Sequence, residues 1–257
     1  MEADRIVSSV SLSALVVARD EASQLADCLS CLTFADEIVV ILDRCTDDSA
    51  EISRRFAAKI VEGEWPIEGD RRNIGIKSCM GDWIIEVDAD ERVNEKLGEE
   101  IRNTISSAQP GYFLVPFNNH IGGRLIRYGW GASWGVNSAP RLFSRGAKSW
   151  GSQRIHPGLQ LLGMPRRLVT PIEHHVDRDI SSMILRLDRY SSERARDLRD
   201  SGDFGSLAGS LRRFVWRFFK CYVRRKGYRE GKWGFLIALM AGLYPLLSYL
   251  KARLEVK

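Results

Sequence analysis

Three short apolar runs, "SALVVA" (13–18), "EIVVIL" (37–42) and "WIIEV" (83–87), are separated by segments whose apolar residues recur at helical spacing. That alternation narrows the possible folds more than any other feature of the chain. Trp83, Ile84, Ile85 and Val87 read as a strand covered on both faces, because the run is apolar and rich in β-branched residues and Gly81 bounds it. Between the first two runs, Leu25, Cys28, Leu29 and Leu32 mark one face of a helix. After the second run, Thr46 or Asp47 is placed to cap a helix reaching Phe56; a third strand is expected at Lys59–Val61, and "GDRRNIGIKSCMGD" supplies another helix. Strands alternating with helices at short intervals predict an α/β fold, a parallel sheet with crossover helices.

In such sheets ligands sit beyond the carboxyl ends of the strands. The polar residues gather there: Asp20 and Glu21 after the first run, Asp43 and Arg44 after the second, and Asp88, Asp90 and Glu91 after "WIIEV". Crowded carboxylates repel one another unless cations intervene, which leaves a bound metal, nearby Arg and Lys, or water. If a metal serves, hard oxygen ligands select Mg2+ or Mn2+, able to bridge carboxylate and diphosphate. No G-x-G-x-x-G follows the first strand and no G-x-x-x-x-G-K-[ST] occurs, so dinucleotide and P-loop readings lose their support.

A chain of 257 residues with 44% hydrophobic content can bury a sizeable core, and global disorder is excluded. Five irregularly spaced cysteines argue against a disulfide framework; Cys28 and Cys31 form a C-x-x-C without a second pair, so buried thiols are the expectation. No uninterrupted apolar stretch precedes Arg19, so a secretory signal is not expected and the cytosol is. Charge divides unevenly. Residues 1–176 carry 20 Lys+Arg against 24 Asp+Glu, whereas 177–257 carry 18 against 9.

Within that basic segment, apolar residues at 211, 214, 215, 218, 219, 222 and 223 trace an amphipathic helix, and Arg212 to Arg229 contains eight Lys/Arg and no acid. "GFLIALMAGLYPLLSYL" (234–250) then runs 17 residues without a charge and includes Pro245, short for a spanning helix of about 20 residues. Together Leu211 to Leu250 suggest shallow attachment to an anionic membrane surface. Packing as core helices explains the apolar stripe but not the acid-free cations. Nucleic acid explains the charge but gives the uncharged run no role, so no nucleic acid is expected.

The segments "VVARDE", "DRCTDDSAEI", "RRNIGIKSCMGDWIIEVDADE" and "RLFSRG" resemble those of family 2 glycosyltransferases, and "LDRYSSERARDL" with the following basic run resembles the bacterial lipopolysaccharide-core branch of that family. The resemblance implies a GT-A fold, Rossmann-like with a mostly parallel central sheet, carrying a C-terminal helical, membrane-associating extension. Residues 1–120 would form the nucleotide-sugar-binding half, 121–176 the acceptor-side half and 177–257 the basic extension. It implies an inverting transfer of a hexose, with glucose the first choice, from a nucleotide diphosphate sugar to a lipid-linked saccharide acceptor on the cytoplasmic face of the inner membrane. Glu21 and Asp43 would hold the base, Arg72 and Asn73 would lie near base or diphosphate, Asp88 would touch ribose and metal, Asp90 would bind the metal directly, Glu91 would shape the site, and Arg141 would face the diphosphate or the acceptor.

Two positions depart from the family pattern. Asp20 stands where Asn is usual, and the His-Glu before the acceptor region is His156-Pro157 here. An inverting transfer needs a base for the acceptor hydroxyl, and His156 or Glu173, followed by His174 and His175, are the candidates. Pro157 also fits a non-catalytic membrane-surface protein with a relic donor pocket. A sugar nucleotidyltransferase would share the two-carboxylate site but lacks its Gly-rich loop after Val17.

Overall fold

Leu12, Ala14, Val16 and Ala18 pack on one side of the first strand and Leu15 and Val17 on the other, so "LSALVVA" is buried throughout and forms β1 (Leu12–Ala18). The structure, a computed structural model, describes residues 10–130, 136–152 and 158–255. Two compact units comprise the chain: Met1–Phe117 with Ser138–His174, and Asn118–Asn137 with His175–Lys257. The segment 121–176, read from sequence as one acceptor-side half, is thus shared between the two.

In the first unit β2 (Glu37–Asp43), β3 (Lys59–Gly63) and β4 (Trp83–Asp88) run parallel to β1 in the order β3-β2-β1-β4. Helices α1 (Ala22–Ser30), α2 (Ser49–Arg55) and α3 (Glu68–Ser78) make the crossovers. Leu25, Cys28 and Leu29 of α1 join the Leu12 face, while Ile76 of α3 joins the Leu15 face. Gly75 lets α3 approach closely, since a Cβ there would lie 2.7 Å from Leu15 Cδ1. The order reverses direction between β1 and β4, which makes that point the crevice of the sheet.

Beyond β4 the sheet turns mixed. β5 (Glu91–Arg92) and α4 (Glu95–Ile105) follow the β4 exit, with Asn94 capping α4 by accepting from Leu97 N at 2.9 Å. Then come β6 (Tyr112–Ile121), β7 (Arg124–Ile126), β8 (Ser138–Ser144), β9 (Lys148–Trp150), β10 (Leu159–Leu161), β11 (Pro165–Arg167) and β12 (Ile172–Asp177). The path continues β4-β8-β6-β12-β5, with β8 antiparallel to β4 and to β6. The mostly parallel α/β core expected from sequence is present, with this antiparallel flank.

One local expectation changes. Asp48, not Thr46 or Asp47, occupies the N-cap of α2; Asp47 instead accepts from Ser49 N at 3.1 Å and from Ala22 N at 2.8 Å, tying the second strand exit to the first. The C-x-x-C contains no bridge: all five cysteines are free, and burial pushes the Cys28 thiol far up, as an inert core residue.

The second unit is mostly helical. α5 (Ile180–Ser201) opens with a reciprocal Asp179–Ser182 capping box and stops at Gly202 in the left-handed region. α6 (Leu207–Phe219), capped by Ser206, runs into a π turn (Lys220–Arg224) and a 3₁₀ turn (Gly227–Glu230) before α7 (Lys232–Leu254). α7 packs against both α5 and α6, burying Ile237, Ala238 and Ala241 with Met183, Leu187 and Cys221. It is long and apolar enough to cross a membrane by length and composition. A Cβ at Gly234 would overlap the Gly227 carbonyl oxygen. Gly234→Ala is therefore expected to force backbone apart and destabilise the helical unit by ~1–3 kcal/mol, seen as an earlier loss of helical circular dichroism on heating.

Candidate active site

Parallel pairing brings the exits of β1, β2 and β4 to one edge of the sheet, so loops distant in sequence meet there. At the β1 exit, Asp20 turns the chain with a positive φ of 54° and its Oδ1 accepts from Thr46 N at 2.7 Å, while Glu21 stands at the N-cap position of α1. At the β2 exit, Asp43 is buried and accepts from Arg44 Nε at 3.0 Å, Trp65 N at 3.1 Å and Arg71 Nη1 at 3.1 Å. Burial alone would raise the Asp43 pKa, but the Arg44 and Trp65 hydrogen bonds and the two guanidinium charges hold it below the usual value.

The β4 exit carries a buried ionic network. Strand alternation points Glu86 and Asp88 to the same face as Ile84, toward α3 and β9. Glu86, with no exposed surface, accepts from Arg72 of α3 and from Lys148 of β9; Lys148 Nζ also donates to Pro140 O at 2.9 Å. Asp88 lies between Arg72, at 3.4 Å, and Arg141 of β8, which donates to both Asp88 and Glu91. Glu91 is fully buried and its other oxygen accepts from Asp88 N at 2.9 Å. Arg92 fixes the turn from behind by donating to Ala89 O and Glu91 O, each at 2.8 Å.

Three carboxylates thus face three cations, and the pKa directions follow from position. Burial opposes ionisation of Glu86, yet Lys148, Arg72 and Arg141 outweigh it and hold the group at about 2. Burial likewise opposes ionisation of Asp88, but Arg141 and Arg72 drive it well below the usual range. For Glu91 burial prevails, with the Asp88 and Asp90 charges adding to it, and its pKa is raised. Lys148 is lowered by desolvation despite its Glu86 partner.

Asp90 stands apart from this balance. Its side chain is 31% exposed and its Oδ2 lies 3.3 Å from His174 Nε2 on β12. Burial disfavours the imidazolium, but the hydrogen bond and charge of Asp90 and the charge of Glu91 more than offset it, raising the His174 pKa. Phe117 buttresses the pair, its ring 5.5 Å from the imidazole and 5.6 Å from the Arg141 guanidinium carbon. Ligand atoms of Asp90, Glu91 and His174 all lie within 4.8 Å of one another. Two carboxylates and an imidazole suit a divalent cation such as Mn2+. Arg141 Nε, buried and without a hydrogen-bond partner among the described residues, leaves an N–H donor available for an anion beside them.

The sequence-derived candidates are therefore distributed as follows. Glu21, Asp43, Arg72, Asp88, Asp90 and Arg141 share the strand-exit edge. Asn73 spends its amide on the main chain of Trp150, donating at 2.7 Å and accepting at 2.9 Å, which fixes α3 to β9. Glu173 pairs with Arg92 across β12 and β5, and alternation sends its side chain to the face opposite His174. His156 and Pro157 lie outside the described residues. Glu86, Lys148 and His174 were not singled out as site residues in the sequence, although a carboxylate inside a strand buried on both faces signals a cation partner by itself.

Residues 13–140 match the family described as glycosyl transferase family 2. An uncharacterized glycosyltransferase of Rickettsia felis is 23% identical to the chain, over 94% of it and 89% of the relative. The lipopolysaccharide core biosynthesis glycosyltransferase LpsC of Rhizobium meliloti is 22% identical over 96% and 93%. Among solved structures, glucosyl-3-phosphoglycerate synthase from Mycobacterium tuberculosis, in complex with Mn2+, uridine diphosphate and glucosyl-3-phosphoglycerate, aligns over 43% of this chain and 44% of its own, with 17% identity and a TM-score of 0.36.

Proposed function

We propose that this chain, a glycosyltransferase of family 2 with the GT-A fold, moves a hexose with inversion from a nucleotide diphosphate sugar to a lipid-linked saccharide at the cytoplasmic face of a bacterial inner membrane. The observation that carries the reading is the Asp90–His174 pair at the sheet crevice, set beside arginines already fixed by buried carboxylates. The similarity to LpsC, a lipopolysaccharide core biosynthesis glycosyltransferase, makes a lipopolysaccharide inner-core acceptor the first to test.

Asp90 and His174, with Glu91 behind them, would hold Mg2+ or Mn2+, which supplies neutralisation of the charge growing on the leaving diphosphate. Arg141, whose Nε–H has no partner among the described residues, and Arg72 add fixed positive charge where the diphosphate binds, at no reorganisation cost because their planes are already held. Asp43 and Glu21 orient the nucleotide base from the neighbouring strand exits. In the transfer the acceptor oxygen bonds to the anomeric carbon as the sugar–diphosphate bond breaks, and the hydroxyl proton passes to a base; His156 is the candidate, because strand alternation turns Glu173 to the face opposite His174.

A thermal-shift screen with Mn2+ across uridine, guanosine and cytidine diphosphate hexoses tests this directly. At saturation near a hundredfold over Kd the cognate donor is expected to raise the melting point by roughly 5 °C or more, because it binds only the folded state. No shift from any sugar nucleotide would sink the donor-site reading. A shift without transfer to any lipid-linked acceptor would favour a binding protein with a relic pocket.

A further inference from the structure

The second unit contains an apolar surface left unspent by packing. The stripe 211, 214, 215, 218, 219, 222 and 223 reads in sequence as a single face, but the structure divides it. Phe218 and Tyr222 turn inward on the core around α7, and Phe214 meets Gly242 of α7. Leu207, Leu211, Val215, Phe219 and Val223 instead follow an i, i+4 ridge along α6 into the π turn, each between 44% and 63% exposed. Trp216 lies beside the ridge, stacked on Phe219 at 6.2 Å, with the Arg224 guanidinium 5.9 Å from its ring.

We infer that this α6 ridge, rather than the longer and more apolar α7, is the surface that docks on an anionic phospholipid bilayer. The inference rests on the membrane location proposed above and assigns the element responsible. Two observations fix the occupant. The ridge is flanked by exposed Arg212, Lys220 and Arg224, and residues 204–229 contain eight Lys/Arg and no Asp or Glu, so an anionic surface complements it. A second copy of the chain would instead bring these like charges together. α7, by contrast, is already used: Ile237, Ala238, Ala241 and Ser248 are buried, and Gly234 and Gly242 seat its backbone against its neighbours. Moving it into lipid would break the core of the unit. Aliphatic and aromatic side chains entering the headgroup boundary while cations meet phosphates is the arrangement of an interfacial helix.

The full chain should co-sediment with vesicles of phosphatidylcholine mixed with phosphatidylglycerol and far less with phosphatidylcholine alone. Val215→Glu/Phe219→Glu should cut partitioning by about tenfold or more. Arg212→Gln/Lys220→Gln/Arg224→Gln should cut it about a hundredfold, near fivefold per cation. Met164→Glu, at an exposed apolar site of the first unit, should leave it unchanged. All variants should keep the sugar-nucleotide thermal shift, so loss of that shift in the parent would indict the transferase reading and leave the docking result standing. The inference is overturned by undiminished vesicle binding of the ridge variants, by parental binding that resists alkaline carbonate extraction, by self-association that the ridge variants abolish, or by preference for random duplex over vesicles.

Discussion

Glu86→Gln is expected to destabilise the protein by ~3–5 kcal/mol, more than any other single change at the strand-exit edge. The side chain is fully buried and each of its oxygens faces a cation, Arg72 on one side and Lys148 on the other. Removing the charge leaves, among the described residues, an ammonium in the core with Pro140 O as hydrogen-bond partner and a guanidinium paired with Asp88 and the exposed Glu68. Breaking a buried pair costs more than the pair contributes, because the abandoned charge keeps its desolvation penalty. Glu86→Gln/Lys148→Met should therefore be less destabilised than Glu86→Gln alone, a coupling readable from urea midpoints in a double-mutant cycle. A Glu86→Gln protein that unfolds at the parental midpoint would show that the network is not an energetic unit.

The same network sets the acid limb of stability. The folded-state pKa of Glu86 is held at about 2, below its ordinary 4.5, because the three cations overcome burial. A depressed carboxylate contributes stability that is present above the ordinary value and is lost as pH falls from about 4.5 toward 2, on the order of 3 kcal/mol over that window. Glu91 has the opposite sign. Burial and neighbouring acids raise its pKa, so its contribution is present below the ordinary value and is lost as pH rises through the raised one. Glu86→Gln should flatten the acid limb of the stability profile.

Sequence pattern exposed the parallel core because β1, β2 and β4 are each buried on both faces and so are apolar almost without interruption. It exposed the three acidic exits for the same reason, since the exits are where the apolar runs stop. The flank was hidden: β9, β10 and β11 are three residues each, too short for any period to show. Lys148 sits on one of them, and nothing local distinguishes it from a surface lysine. Glu86 is the one acid inside the apolar run 83–87 but is easily set aside next to Asp88, Asp90 and Glu91. The crowded carboxylates raised the choice between metal, cations and water. The geometry divides them: Glu86, Asp88 and Glu91 face Arg72, Arg141 and Lys148, and Asp90 faces His174.

That division makes Asp90 and Asp88 separable by experiment despite lying two residues apart. Asp90→Asn should leave the urea midpoint within about 0.5 kcal/mol of the parent, because the side chain is partly exposed and its ion-pair partner is His174 rather than the buried network. Transfer should nevertheless fall about a thousandfold, as expected when a group holding a charge-neutralising cation loses several kcal/mol of transition-state stabilisation. Asp88→Asn should lose both properties, since Arg72 and Arg141 lose a shared partner. His174→Gln should fall between, at roughly 10–100-fold in transfer with a higher Mn2+ requirement. Stability and turnover measured on the same three preparations decide the matter. Asp90→Asn turning over at the parental rate would remove Asp90 from the chemistry. Asp88→Asn that loses transfer but keeps its stability would show the arginines to be held without Asp88, and would make its role one of donor contact alone.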